Sequence, residues 1–182
     1  NARVRTVLEE AAPDVSTERL RAHEITVMSG APEFVDRRTI RVGGQAIRAR
    51  AFIVAPGVEP RIPAIPGLAD MPYLTPDTIV EVTRRPEHLL VIGGGATGLA
   101  LAQAHLRLGC AVTLVDWREP LGDVDAELSA VLLTRLAAEG MTIHAHTGIV
   151  SISDEENSVA VDIKTGADEQ TVTASHVLVA AG

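Results

Sequence analysis

The apolar positions change period along the chain, and those changes mark out its elements. Val4, Val7, Leu8 and Ala11, and later Leu20, follow a helical spacing that Pro13 interrupts. Residues 3–22 therefore read as a helix broken once, with Ser16 or Thr17 able to cap its second part. Short β-type runs follow at 24–29, Glu33–Asp36, Thr39–Val42, 46–50 and 52–55, with Gly43-Gly44 as a hairpin signal. They predict a small antiparallel meander attached to a buried strand, 52–55. From Pro56 to Pro86, prolines and glycines recur so often that only a short helix near 77–82 is expected. The rest alternates strand (89–92), helix (97–108), strand (111–116), helix (125–139) and strand (141–144), which predicts a parallel sheet. A second meander (148–153, 159–164, 170–173) and a final buried strand (177–180) complete an α/β chain.

The two halves resemble each other. Arg19-Leu20-x-Ala22-x-x-Ile25-Thr26-Val27 recurs as Arg135-Leu136-x-Ala138-x-x-Met141-Thr142-Ile143, and Phe52-Ile53-Val54-Ala55-Pro56-Gly57 recurs as Val177-Leu178-Val179-Ala180-Ala181-Gly182. Each half thus shows a helix, a strand, a meander and an apolar strand ending in Gly. Only the second half has an opening strand, a Gly-rich turn and a helix before these. The expected division is a partial nucleotide-binding domain over 1–57, a crossover over 58–88 and a complete Rossmann-like domain over 89–182.

The chemistry concentrates at Gly93-Gly94-Gly95-Ala96-Thr97-Gly98, which places GxGxxG between a buried strand and an apolar helix. In that setting Gly93 permits the tight turn, Gly95 lets a pyrophosphate approach the backbone, and Gly98 lets helix and strand pack closely. The helix start offers N–H groups and the positive end of its dipole to phosphate. Asp116 ends the next strand about 20 residues further on, where a carboxylate accepts the hydroxyls of the adenosine ribose and repels a 2′-phosphate. This favours NAD over NADP, although Arg118 stands close enough to pair with such a phosphate. A methyltransferase also joins a Gly-rich turn to an acidic strand end, but would leave the first half unexplained.

Composition narrows the field. The 182 residues carry a net charge of -8 with only 2% aromatic residues, which excludes the basic stripe or stacking rings of a nucleic-acid binder. No apolar run is long enough to span a bilayer, so no membrane partner is expected. Cys110 is the only cysteine, which rules out a disulfide or CxxC site within the chain and suggests a reducing, cytoplasmic setting. The opening Asn1-Ala2-Arg3, without a Met, reads as an internal piece of a longer chain.

His144 and His146 lack a third metal ligand at sensible spacing and read as solvated or edge-strand residues. Asp123-x-Asp125-x-Glu127 lacks the glycine of a calcium loop and reads as helix capping. Cys110, at a helix-to-strand turn, is expected to be a small buried thiol. No catalytic residue and no metal ligand is assigned.

These motifs together resemble the flavoprotein pyridine nucleotide-disulfide oxidoreductases, the group of dihydrolipoamide dehydrogenase, glutathione reductase and mercuric reductase, over nearly the whole chain. Ala55-Pro56-Gly57, with Pro60 and Ile62-Pro63-x-Ile65-Pro66-Gly67, is similar to the family's second FAD-contact segment and its Pro-rich crossover. Tyr73-Leu74-Thr75-Pro76-Asp77-Thr78 resembles the approach to the NAD domain. Leu101-Ala102-Gln103-Ala104-x-x-Arg107-Leu108-Gly109 is similar to mercuric reductases and some bacterial lipoamide dehydrogenases. The resemblance implies that NADH passes hydride to FAD and on to a disulfide made by a CxxxxC pair, or to a metal-ion substrate. It places Ala96, Thr97, Val150, Ala180, Ala181 and Gly182 beside the NAD, and Ala55 and Gly57 toward FAD in the parent.

This chain lacks the cysteine pair, the first FAD glycine motif and the C-terminal domain through which such parents form homodimers. FAD is therefore not expected on this piece, nor is the parent's reaction. Pro56 stands where the family usually has Thr, Ala96 where many members have a flavin-covering Tyr, and Leu101 where Glu is frequent. The alternatives are a piece of an NADH-dependent ferredoxin or quinone flavoprotein reductase, or an NAD-sensing module without catalysis.

Overall fold

The computed structural model describes Thr6, Val7, Glu10 and residues 16–182, in two compact units, Asn1–Val58 and Glu59–Gly182. The first part of the expected N-terminal helix, over 3–15, otherwise lies outside the described residues.

In the first unit, helix α1 (Thr17–Ala22) begins where Ser16 Oγ accepts the Arg19 N–H at 3.2 Å. Strands β1 (Glu33–Asp36), β2 (Thr39–Val42) and β3 (Gln45–Arg48) form an antiparallel sheet in that order. Gly43 and Gly44 join β2 to β3 with φ of 52° and 83°, the double positive φ that a two-residue type I′ turn requires. Neither 24–29 nor 52–55 forms a strand, contrary to the sequence expectation. A parallel strand owes its hydrogen bonds to neighbours, and among the described residues this unit offers only the meander, which is already paired. Ile53 and Val58 are consequently almost fully exposed, at 95% and 97%. Phe52 instead sets its ring edge-on to Phe34, with centroids 5.2 Å apart.

The second unit is layered. A parallel sheet has the order β10-β4-β5-β6, built from β4 (His88–Ile92), β5 (Ala111–Val115), β6 (Thr142–His144) and β10 (His176–Val179). Helices α2 (Ala96–Arg107) and α3 (Ala126–Ala138) cover one face. The other carries the antiparallel meander β7 (Thr147–Glu155), β8 (Ser158–Thr165) and β9 (Asp168–Ala174).

Strand alternation explains why β4 reads as an unbroken apolar run. Leu89 and Val91 face the helices with Val112, Leu114 and Leu178, while Leu90 and Ile92 face the meander with Val115, Val177 and Val179. Both faces are covered, so a polar residue has no place in the strand interior.

The Pro-rich stretch belongs to this unit. Leu68 and Met71 are buried in the meander-side core, and Leu74 pairs with the β10 edge through its N–H to the Val177 carbonyl at 2.8 Å. The short helix expected near 77–82 is a single 3-10 turn, Ile79–Glu81, started by the Thr75 and Thr78 side chains.

The helix ends are fastened by ionic contacts. Arg85 Nη1 donates to the Gly109 carbonyl at 2.8 Å, just past the end of α2. Glu139, past the end of α3, accepts Arg107 Nε and Nη2 at 3.1 Å each and Arg135 Nε at 3.2 Å. The Arg107 hydrogen bond foremost, with help from Gln103 and Arg135, holds the Glu139 carboxyl below its ordinary 4.5. A carboxyl that ionises more readily folded than unfolded stabilises fully above its unfolded value and loses that effect as pH falls through the folded one. Glu139→Gln is therefore expected to melt below the parent chain at pH 7. The two melting curves should converge below about pH 4.5, as circular dichroism melts across pH would show.

Candidate functional site

Three of the four glycines at the end of β4 answer to different neighbours. Gly93 has φ 109°, and a Cβ there would lie 2.7 Å from the Ala180 carbonyl carbon and 2.9 Å from Ala181 Cα. A Cβ on Gly98 would fall onto the Gly93 carbonyl oxygen and 3.4 Å from the Ala180 Cβ. Both are required by the close crossing of α2 over β4 and β10. Gly94 must lack a side chain because Pro120 lies over it, 2.7 Å from where its Cβ would be.

Gly95 is different. It is the N-cap of α2, with φ -69° and ψ 173°, a conformation any residue adopts, and a Cβ there would meet nothing within 4 Å. The fold does not demand glycine at this position. The open volume lies directly in front of the helix start, where the N–H groups of Ala96 and Thr97 have no partner within the helix and no side chain caps them. Helix N-termini of this kind carry partial positive charge and accept anions.

Asp116 follows β5 at the carboxyl edge of the sheet. Its Oδ2 accepts the Gly94 N–H at 2.6 Å and its Oδ1 accepts the Arg118 N–H at 2.8 Å. Its backbone is held as well, by Asp116 N–H to the His144 carbonyl at 2.9 Å and Thr147 N–H to the Asp116 carbonyl at 2.8 Å. The carboxylate is thus fixed to the glycine turn, and each oxygen retains acceptor capacity for a hydroxyl.

The loop after Asp116 closes over the turn. Pro120 packs on Gly94, the Leu121 N–H donates to the Gly94 carbonyl at 3.0 Å, and Leu121 adopts φ 57°. Left-handed backbone at a Leu is uncommon and is held here by that contact. Glu119 pairs with His146 Nε2 at 3.1 Å. Between them, the Arg118 guanidinium carbon lies 4.6 Å from the centre of the Trp117 ring, a stacking worth about 0.5–1 kcal/mol at an exposed site.

The remaining predicted positions fall into two groups. Ala180 and Ala181 border Gly93, and the Ala180 N–H donates to the Ile92 carbonyl at 2.8 Å. The Gly182 carbonyl accepts the Arg61 N–H at 2.9 Å. Val150 is the residue without a register partner between Ile149 and Ser151, a β-bulge that leaves its side chain half-exposed. Ala55 and Gly57 lie in the first unit, in exposed chain without regular structure, with Gly57 at φ 78°. Sequence reasoning did not single out Gly94, Trp117 or Pro120 as site residues. The glycine at the variable second position of the motif was the signal for the first, and a lone Trp beside the acidic strand end was the signal for the second.

The other candidates take structural places. Asp125 caps α3, its Oδ1 accepting the N–H of Glu127 at 3.0 Å and of Leu128 at 3.2 Å. Cys110 is buried, which pushes its thiol pKa up. Burial likewise pushes His144 down. Among the described residues no group of three His, Cys, Asp or Glu could hold a metal ion, and no helix is long and apolar enough to cross a membrane. A polar groove lined by Tyr73, Thr78, Glu81, Arg84 and His176 lies at the start of β10, the amino edge of the sheet. Ligands of open α/β sheets bind at the opposite, carboxyl edge.

The model of the pyridine nucleotide-disulphide oxidoreductase family matches residues 5–182. The chain is 35% identical over 162 residues to the mercuric reductase of Streptomyces lividans, covering 86% of this chain and 34% of that protein. It is 33% identical over 167 residues to the dihydrolipoyl dehydrogenase of Thermus scotoductus, covering 90% and 36%. Among solved structures it superposes on LpdA from Mycobacterium tuberculosis with a TM-score of 0.78 at 27% identity, covering 100% of this chain and 41% of that one. The chain belongs to the pyridine nucleotide-disulphide oxidoreductases, and spans about a third of the length of the curated relatives it matches.

The glycine geometry separates folding from ligand demands. Gly98→Ala is expected to cost about 3 kcal/mol, since backbone must move to admit a methyl. Gly95→Ala should stay within about 1 kcal/mol of the parent, because the space is open and the backbone suits alanine. Urea unfolding of the two variants measures both.

Proposed function

We propose that the second unit binds NAD(H) at the carboxyl edge of its parallel sheet, within a flavin-dependent disulfide oxidoreductase. The observation that carries this reading is the unfilled space at Gly95, facing the start of α2, with Asp116 pinned beside it by the Gly94 N–H. A pyrophosphate is held by the Ala96 and Thr97 N–H groups, which have no partner within the helix and no side-chain cap. The Asp116 carboxylate, already oriented, accepts the ribose hydroxyls and disfavours a 2′-phosphate. Val150 and the Ala180–Gly182 segment form the remaining walls.

The residues present do no bond-making. They bind the dinucleotide, orient it and select against a 2′-phosphate on its adenosine ribose. A bound nicotinamide supplies hydride to a flavin, and the protein's share in such chemistry is orientation and electrostatics. In the whole enzyme, residues 1–57 contribute part of the FAD domain, with Ala55 and Gly57 facing the flavin. Residues 58–88 form the crossover and 89–182 the NAD domain. The exposed Ile53, Val54 and Val58 support this, as apolar residues of a segment that needs a sheet around it. The parent passes electrons from NADH to a disulfide or a metal ion and forms a homodimer.

Calorimetric titration tests the binding directly. The chain is expected to bind NADH at least tenfold more tightly than NADPH, about 1.4 kcal/mol of discrimination. Gly95→Ala should lose NADH binding at unchanged stability. Tighter binding of NADPH contradicts the role given to Asp116, and undiminished binding by Gly95→Ala contradicts the cradle.

A further inference from the structure

Trp117 is the only tryptophan in the chain, and it is 69% exposed at the mouth of the proposed site. Nothing in the packing of the unit requires an indole there. One of its faces is taken by the Arg118 guanidinium, 4.6 Å from the ring centre. The Arg118 backbone is tied to the same place twice, its N–H to Asp116 Oδ1 at 2.8 Å and its carbonyl to the His146 N–H at 3.2 Å. Carboxylate and indole are therefore parts of one rigid loop, registered on the glycine turn by Pro120 over Gly94.

Resting on the NAD(H) reading above, we propose that the Trp117 indole, backed by Arg118, is the platform on which the adenine ring of the dinucleotide stacks. The base is bonded to the ribose that Asp116 holds, on the side away from the pyrophosphate. Trp117 follows Asp116 directly in the chain and is exposed beside it. An indole offers any purine a broad π-face, and stacking of this kind tolerates the identity of the base. Arg118 acts as the backing of the platform rather than as a ligand of a 2′-phosphate. That role fits a site whose acidic residue already disfavours the phosphate.

The lone tryptophan makes the test direct. In the 182-residue chain, 5′-AMP is expected to quench Trp117 emission, while ribose 5-phosphate leaves it unchanged. Trp117→Ala should weaken NADH and ADP-ribose by the same factor, about 5- to 100-fold for a lost stack. Its melting temperature should fall by no more than a few degrees, as loss of the Arg118 stack alone would give, and Trp117→Phe should recover most of the loss in binding. Arg118→Ala should weaken NADH and NADPH alike. Unquenched emission with AMP, or ADP-ribose binding by Trp117→Ala within twofold of the parent, overturns the stacking while leaving the NAD(H) site intact. Selective loss of NADPH in Arg118→Ala overturns the role given to Arg118. Failure of the parent chain to bind NADH at all removes the proposed function itself, a separate result.

Discussion

The second unit depends on one close approach. Helix α2 must start almost in contact with the crossing of β4 and β10, so the Gly93 carbonyl, the Gly98 Cα and the Ala180 backbone share a space with no room for a side chain. That contact turns the chain sharply at φ 109° and aims the axis of α2 across the carboxyl edge of the sheet. Everything functional follows from the aim. The first N–H groups of the helix open onto the gap before Gly95, and Asp116 reaches the same gap from the neighbouring strand. Two glycines serve the fold, one makes way for Pro120, and Gly95 faces open space.

Electrostatics and rigidity reinforce each other at this edge. Asp116, the residue proposed to hold a sugar, accepts the backbone N–H groups of the turn and of its own loop. A single carboxylate therefore sets the spacing between the helix start and the strand end. The Pro120 contact, the left-handed Leu121 and the Glu119–His146 pair hold the loop against the turn. Binding surfaces prepared in this way lose less conformational freedom when a ligand arrives.

Much of this was legible in the sequence because local rules and tertiary needs agree in the second unit. β4 is apolar from Leu89 to Ile92 since both faces are covered there, and Asp125 begins α3 as capping chemistry requires. The twelve site positions read from the motif and the family resemblance split by unit. Gly93, Gly95, Ala96, Thr97, Gly98, Asp116, Ala180 and Ala181 come together around one turn, Val150 and Gly182 lie elsewhere in the same unit, and Ala55 and Gly57 lie in the first. The first unit was read less well. Residues 24–29 and 52–55 have strand composition, but composition cannot supply the neighbouring strands that satisfy a backbone. The bulge at Val150 and the stack of Arg118 on Trp117 escaped the reading for a related reason. Both arise from cross-strand register and side-chain direction, which spacing along the chain does not encode.

The central claim is that the gap before Gly95 is a dinucleotide cradle, and amide chemical shifts during an NADH titration of the chain test it most directly. The account predicts that the largest shifts fall on Gly94–Thr97 and Asp116–Arg118, with smaller ones at Val150 and Ala180–Gly182. Shifts clustered instead around Tyr73, Arg84 and His176, at the other edge of the sheet, would contradict it.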